Sequence, residues 1–145
     1  MSYLSKYDCY PKFSLDEFRH LFFGNEVVRS FVLLDPDNNE RVIDFASYYV
    51  LDSMSSNNGG ETHTVRSAYL FYYSCLTTEI RFLLTNLMIH ARNNGLHVMT
   101  MTGVLENTKA IYDLKFRQGT GVSHYYMYNY RVPPIETGRV GKIIA

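Results

Sequence analysis

A chain of 145 residues suits one compact domain whose core stands without staples. Its formal net charge is zero and no Lys/Arg stripe runs through it, which disfavours a nucleic-acid or anionic-membrane surface. No apolar run reaches membrane-spanning length and no signal peptide is seen; Cys9 and Cys75, far apart and without a CxxC, read as reduced thiols of a cytoplasmic protein.

The first dozen residues read as extended, with Tyr3, Leu4, Tyr7 and Tyr10 as anchors and Pro11 as punctuation. Ser14 and Glu17 form a capping box: the hydroxyl satisfies the backbone N–H three residues on, and the carboxylate reaches back. The helix they open carries Leu15, Phe18, Leu21 and Phe22 on one face and stops at Gly24, which suits a left-handed cap. Residues 27–34 are β-branched and aromatic, 35–39 (DPDNN) form a turn, and 41–51 return as the second arm of a hairpin. Residues 52–63 have loop composition, so a mobile loop is expected there, either a lid over a groove or a plain solvated connection.

A third strand is expected over 64–75. Thr77 or Thr78 then caps the main helix, whose buried face is Ile80, Leu83, Leu84, Leu87, Met88 and Ala91, and Asn93-Asn94-Gly95 stops it. A short strand follows over 96–102, and Asn107 caps a last helix over 108–114. Gly119 and Gly121 suggest a turn, 125–130 (YYMYNY) an aromatic strand, and Pro133-Pro134 a break before an apolar end, Ile143-Ile144-Ala145. Chain ends usually fray, so an apolar end implies a docked one with a carboxylate held inside the structure. Antiparallel strands followed by a βαβ crossover make a mixed sheet, and the fold class is α/β or α+β.

Side chains alone give no complete active site. Five histidines stand without HxxxH or HExxH spacing, so no metal is expected. No serine sits in GxSxG, and Gly119-Thr120-Gly121 lacks both the Walker lysine and the dinucleotide fingerprint. Asp44, Glu106 and Asp113 are possible bases for which surface solvation is the default. Thirteen tyrosines and no tryptophan fit half-buried walls with one wet edge, either ordinary strand filling or a groove for a polar chain.

The C-terminal stretch resembles the end of eukaryotic protein N-myristoyltransferases. Lys115-Phe116-x-x-Gly119-x-Gly121 is similar to that family's KFGxGDG signature, and Tyr125-Tyr126-x-Tyr128-Asn129-Tyr130 to its YYLYNW. Gly138-x-Val140-Gly141 then runs without a gap to Ala145. Upstream, 15–22 resembles a helix ending in HWF, Ile43-Asp44-Phe45-x-Ser47-Tyr48-Tyr49 resembles TDFxSFY, and Ser67-Ala68-Tyr69-x-Phe71-Tyr72 resembles AAYxFY.

The collinear resemblance covers nearly the whole chain. It implies an acyltransferase-like (GNAT-type) half domain over 1–145, the C-terminal, peptide-binding half of an enzyme that moves myristate from myristoyl-CoA to an N-terminal glycine. Myristoyl-CoA would be a co-substrate, no cofactor would be resident, and the acyl-CoA-binding half would be missing from this chain or supplied by another. The resemblance implies the carboxylate of Ala145 as the base, and peptide-site positions at Ser47, Tyr69, Tyr72, Thr100, Gly119, Thr120 and Gly121. This sequence departs from the family at Thr120 and Gly103, where it has Asp, at Arg117, where it has Gly, and at Thr100, where it has Asn. The alternative implied by these departures is a non-catalytic remnant that binds peptides or serves as structure.

Overall fold

The computed structural model describes residues 3–24, 26–56 and 59–143. The capping box forms as expected: Ser14 Oγ accepts from Glu17 N, and Glu17 returns a carboxylate to Ser14 N at 2.7 Å, opening α1 (Leu15–Phe22). Gly24 takes φ +66 just beyond it, in the left-handed region. Strands β1 (Val28–Asp35), β2 (Asn38–Ser56) and β3 (Thr62–Ser74) run antiparallel in sequence order. Helix α2 (Ile80–Asn93) crosses back so that β4 (Val98–Thr100) pairs parallel with β3, giving the order β1-β2-β3-β4. The mixed sheet and its crossover are those the sequence implies.

The two faces of the sheet are covered by different helices. Phe31 on β1 pairs with Ala46 and stacks on His90 of α2, with ring centroids 4.6 Å apart. The neighbouring β2 residue, Phe45, must point the other way, and it meets Phe18 and Phe22 of α1. Helix α2 buries Leu83, Leu84, Leu87 and Ala91, all on the face read from its sequence.

Several expectations fail, each for a physical reason. Residues 52–63 are largely the far end of a long hairpin: Asp52 pairs with Arg66 and Ser56 with Thr62. Polar side chains do not prevent a ladder, because its bonds are backbone bonds. Asn57 and Asn58, at the centre of the expected loop, lie outside the described residues. Thr78 does not cap α2; its hydroxyl goes to Asp44, and Glu79 holds the cap position without a side-chain bond. Asn107 holds the cap position of α3 (Thr108–Ile111) as expected but makes no cap bond, because its side chain is buried and bonded to Tyr73 and Thr102. The first residues are not extended but make a 3₁₀ turn, Leu4–Lys6, that buries Tyr3, Leu4 and Tyr7. Residues 125–130 form no strand, and their tyrosines are exposed. The expected strand over 96–102 shortens to three residues, and the helix over 108–114 is α in its first four alone.

Candidate functional site

Asp44, which local reading left to solvent, is buried on β2 one residue beyond the end of the β2–β3 pairing. Its carboxylate accepts the N–H groups of Leu76, Thr77 and Thr78 and the Thr78 hydroxyl, at 2.7–3.1 Å. Burial would push the carboxyl up, but these four donors outweigh it and hold it below its ordinary range. The group is a structural clasp for the β3–α2 connection.

Two strands onward, a second polar network fixes the loop after β4. Tyr73 OH donates to Asn107 Oδ1 at 2.9 Å and accepts from Glu106 N at 3.1 Å. Asn107 Nδ2 donates to Thr102 O. Glu106 gathers Tyr3 OH and Lys6, both at 2.6 Å, and Lys109. Partial burial opposes its ionisation, but the Lys109, Lys6 and Tyr3 bonds pull the carboxyl down to about 2. Leu105 sits inside this loop at φ +57, a conformation that costs a leucine about 1–3 kcal/mol. The strained residue aims its N–H at Val140 O, 3.0 Å away.

That bond is one of several that hold residues 139–143. Asp8 N donates to Arg139 O, Gly141 N to Cys9 O at 2.8 Å, and Tyr125 OH to Lys142 O at 2.9 Å. Ile143 N donates to Tyr72 OH at 3.1 Å, and the Ile143 side chain is 5% exposed. The C-terminal segment is therefore docked as far as the description reaches. Ala145, read as the base, lies outside the described residues.

The remaining candidates divide into three sets. Ser47 and Tyr72 come together: the buried Ser47 hydroxyl donates to Tyr72 O at 2.7 Å, and so supports the residue that carries the tail. Tyr69 and Thr100 face each other across the β3–β4 ladder, and Tyr69 stacks on Tyr49 with centroids 5.1 Å apart. Gly119, Thr120 and Gly121 are exposed, and a Cβ added at either glycine would meet open space. A recess of about 870 Å³ lies between the tail and the aromatic segment, lined among others by Cys9, Val104, Tyr125, Tyr130, Pro133 and Val140. Sequence reading took Tyr7 as an anchor without its role at the tail and missed Asp8, Leu105 and Arg139, all of which hold the tail; Gly141 is the one local signal that could have pointed to a close approach.

Burial raises the Tyr72 hydroxyl, partly offset by the Ile143 N–H, so at neutral pH it is a neutral hydrogen-bonding group. Among the described residues no three of His, Cys, Asp or Glu gather to hold a metal, and no helix is long and apolar enough to cross a membrane. Cys9 and Cys75 are both free thiols.

Comparison with known proteins decides the family. The model for "Myristoyl-CoA:protein N-myristoyltransferase, C-terminal domain" matches residues 1–142. The chain belongs to the N-myristoyltransferase family. The glycylpeptide N-tetradecanoyltransferase of Drosophila melanogaster is 35% identical over 98% of this chain, and glycylpeptide N-tetradecanoyltransferase 1 of Arabidopsis thaliana is 32% identical over 96%. The chain spans 30% and 33% of the length of those two relatives and matches the family's C-terminal domain. A predicted acetyltransferase from Clostridium acetobutylicum solved with acetyl-CoA superposes with a TM-score of 0.56 at 12% identity, over 80% of this chain and 77% of that one. That likeness shows the acetyltransferase (GNAT) fold expected for a member of the family.

Proposed function

We propose that this chain is the peptide-receiving part of an N-terminal-glycine myristoyltransferase in the cytoplasm, with the carboxylate of Ala145 as its base. The observation that carries the reading is the docking of 139–143, which brings the Ile143 N–H onto the buried Tyr72 hydroxyl. Ala145 follows Ile143 by two residues, a reach of at most about 7 Å.

The chemistry asks one thing of that carboxylate. The glycine amine attacks the thioester carbonyl of myristoyl-CoA, a C–N bond forms, the C–S bond breaks, and the thiolate of CoA leaves. The amine must first lose a proton from its ammonium form. A terminal carboxyl titrates near ~3.5 and an α-amine near ~8, so the transfer is uphill by about 6 kcal/mol in water. Burial raises the first value and lowers the second, which narrows the gap, and the ion pair aligns the amine for attack. Ser47 acts through Tyr72, and Thr100 on the edge strand β4, with Tyr69 paired to it on β3, marks the part of the sheet along which the peptide would lie. Myristoyl-CoA is a co-substrate held by the family's acyl-CoA-binding part. The exposed apolar residues of 122–132, Tyr126, Tyr128 and Tyr130 among them, offer that part a docking face.

The test is an intact-mass assay of the chain with myristoyl-CoA and a glycine-ended peptide, alone and with an acyl-CoA-binding half from a relative. One myristoyl mass on the peptide, lost when residues are added after Ala145, is the expected result. Full activity with a C-terminal tag removes Ala145 from the mechanism. The non-catalytic reading is favoured by the exposure of Gly119–Gly121 and by Thr120 in place of Asp. Saturable peptide binding with no mass gain in either arm would select it.

A further inference from the structure

Residues 139–143 are held through their own backbone groups, and their side chains alternate: Gly141 and Ile143 are buried, while Lys142 is exposed. Asp8 N donates to Arg139 O and Cys9 O accepts from Gly141 N, and Cys9 makes a parallel bridge with Val140. Leu105 N, Tyr125 OH and Tyr72 OH bond Val140 O, Lys142 O and Ile143 N. A ladder of this kind has a repeat, so backbone bonding alone leaves the tail free to shift along it.

Two features remove that freedom. Gly141 packs against Tyr7, and a Cβ there would lie 2.6 Å from Cδ2, 2.8 Å from Cγ and 2.9 Å from Cβ of that side chain. The clash is with the root of a buried side chain, which has no room to swing away. Gly141 is the one glycine in 139–143, so a slip of one residue either way drives Val140 or Lys142 into the ring. Arg139 forks onto Asp8, with Nε 2.9 Å from Oδ2 and a second, shorter bond to Oδ1. That pair draws the Asp8 carboxyl down and the Arg139 guanidinium up.

We infer that residues 7–9 are a register clamp for the C-terminal segment, in which the Tyr7 ring against Gly141 and the Asp8–Arg139 pair fix how far the chain extends past Tyr72. Tyr7 and Asp8 are positioning residues, not catalytic ones. Their use in catalysis, aiming the Ala145 carboxylate at the peptide amine, rests on the function proposed above.

The clamp is tested by amide hydrogen exchange in the 145-residue chain. Gly141→Ala is expected to lower the protection of the Gly141-position and Ile143 amides about tenfold or more, with Ala68 in the sheet unchanged. Tyr7→Ala combined with Gly141→Ala restores room and is expected to recover most of it. The second arm avoids the core: Asp8→Arg loosens the same two amides, and Asp8→Arg with Arg139→Asp restores them. Unchanged protection in Gly141→Ala, or no recovery in the charge swap, overturns the clamp.

The aim is read by binding, as the ratio of affinities for a glycine-ended peptide and its N-acetylated form. Wild type is expected to prefer the free amine, and Gly141→Ala to lose that preference. A preference that survives loss of protection overturns the aiming role. A wild-type chain that prefers neither peptide overturns the function proposed above, and the clamp is then judged on exchange alone.

Discussion

Two tyrosine-rich stretches of similar composition meet opposite fates. In β3, Tyr72 and Tyr73 are 6% and 2% exposed; in the stretch 125–130, Tyr126 and Tyr128 are 88% and 96% exposed. The difference is not in the side chains but in what flanks the backbone. Strand β3 has a ladder on either side and a helix on each face of its sheet, so Tyr72 and Tyr73 each find both an apolar wall and a partner for the hydroxyl. The later stretch has neither among the described residues, apart from the Tyr125 bond to Lys142. A tyrosine-rich segment is a strand only where neighbours complete it.

That contrast can be broken most sharply at Asp44, on which the β3–α2 connection hangs. Asp44→Ala removes the acceptor of three partly buried N–H groups and of the Thr78 hydroxyl, and a loss of about 3 kcal/mol is expected in denaturant unfolding. Tyr73→Phe removes one hydroxyl from the Asn107–Glu106 network and should cost about 1–2 kcal/mol. The equivalent truncation in the exposed stretch, Tyr128→Phe, is expected to shift stability by less than about 0.5 kcal/mol. An equal loss from the last two would erase the distinction between the stretches.

Acid sharpens the same contrast. Asp44 and Glu106 are both held below their unfolded values, Glu106 at about 2. Their stabilisation is complete above the unfolded carboxylate range of ~4–4.5 and is lost as pH falls through the folded values. Stability should be flat above about pH 5 and fall steadily towards pH 2, with the fall shallower in Glu106→Gln. The smallest effect expected is on substrate choice: with Thr120 uncharged, a peptide series should show a weaker preference for a basic residue downstream of the glycine than relatives carrying Asp there.

What could be read in the sequence was local. The Ser14–Glu17 box, the α2 face and the Gly95 stop each depend on neighbours within a few residues, and all three form. The hairpin order and crossover followed from element spacing. What could not be read depends on partners far along the chain. Thr78 looked like a cap because its hydroxyl had no visible competitor, and the competitor is a carboxylate 34 residues earlier. Asp44 looked solvated because its three N–H donors lie beyond a whole strand. The polar tip of the hairpin looked like a loop because composition reports side chains, while the ladder uses the backbone. In the candidate site, Ser47 and Tyr72 were singled out by resemblance, but that they form a stack beneath the tail emerged only from the fold.

The contact between Asp8 and Arg139 closes a loop of 131 residues. Closing so long a loop costs chain entropy that nearer contacts do not, so a folding chain gains little from making it early. The hairpin, α2 and the β3–β4 pairing are expected to come first, with the tail docking onto a finished sheet. Substitutions in the clamp should therefore leave the folding rate nearly untouched and appear in the unfolding rate, with φ-values near zero. The same chain would then pass through a state in which everything but its final segment is native, and whatever chemistry the segment serves would begin only when that last step is taken.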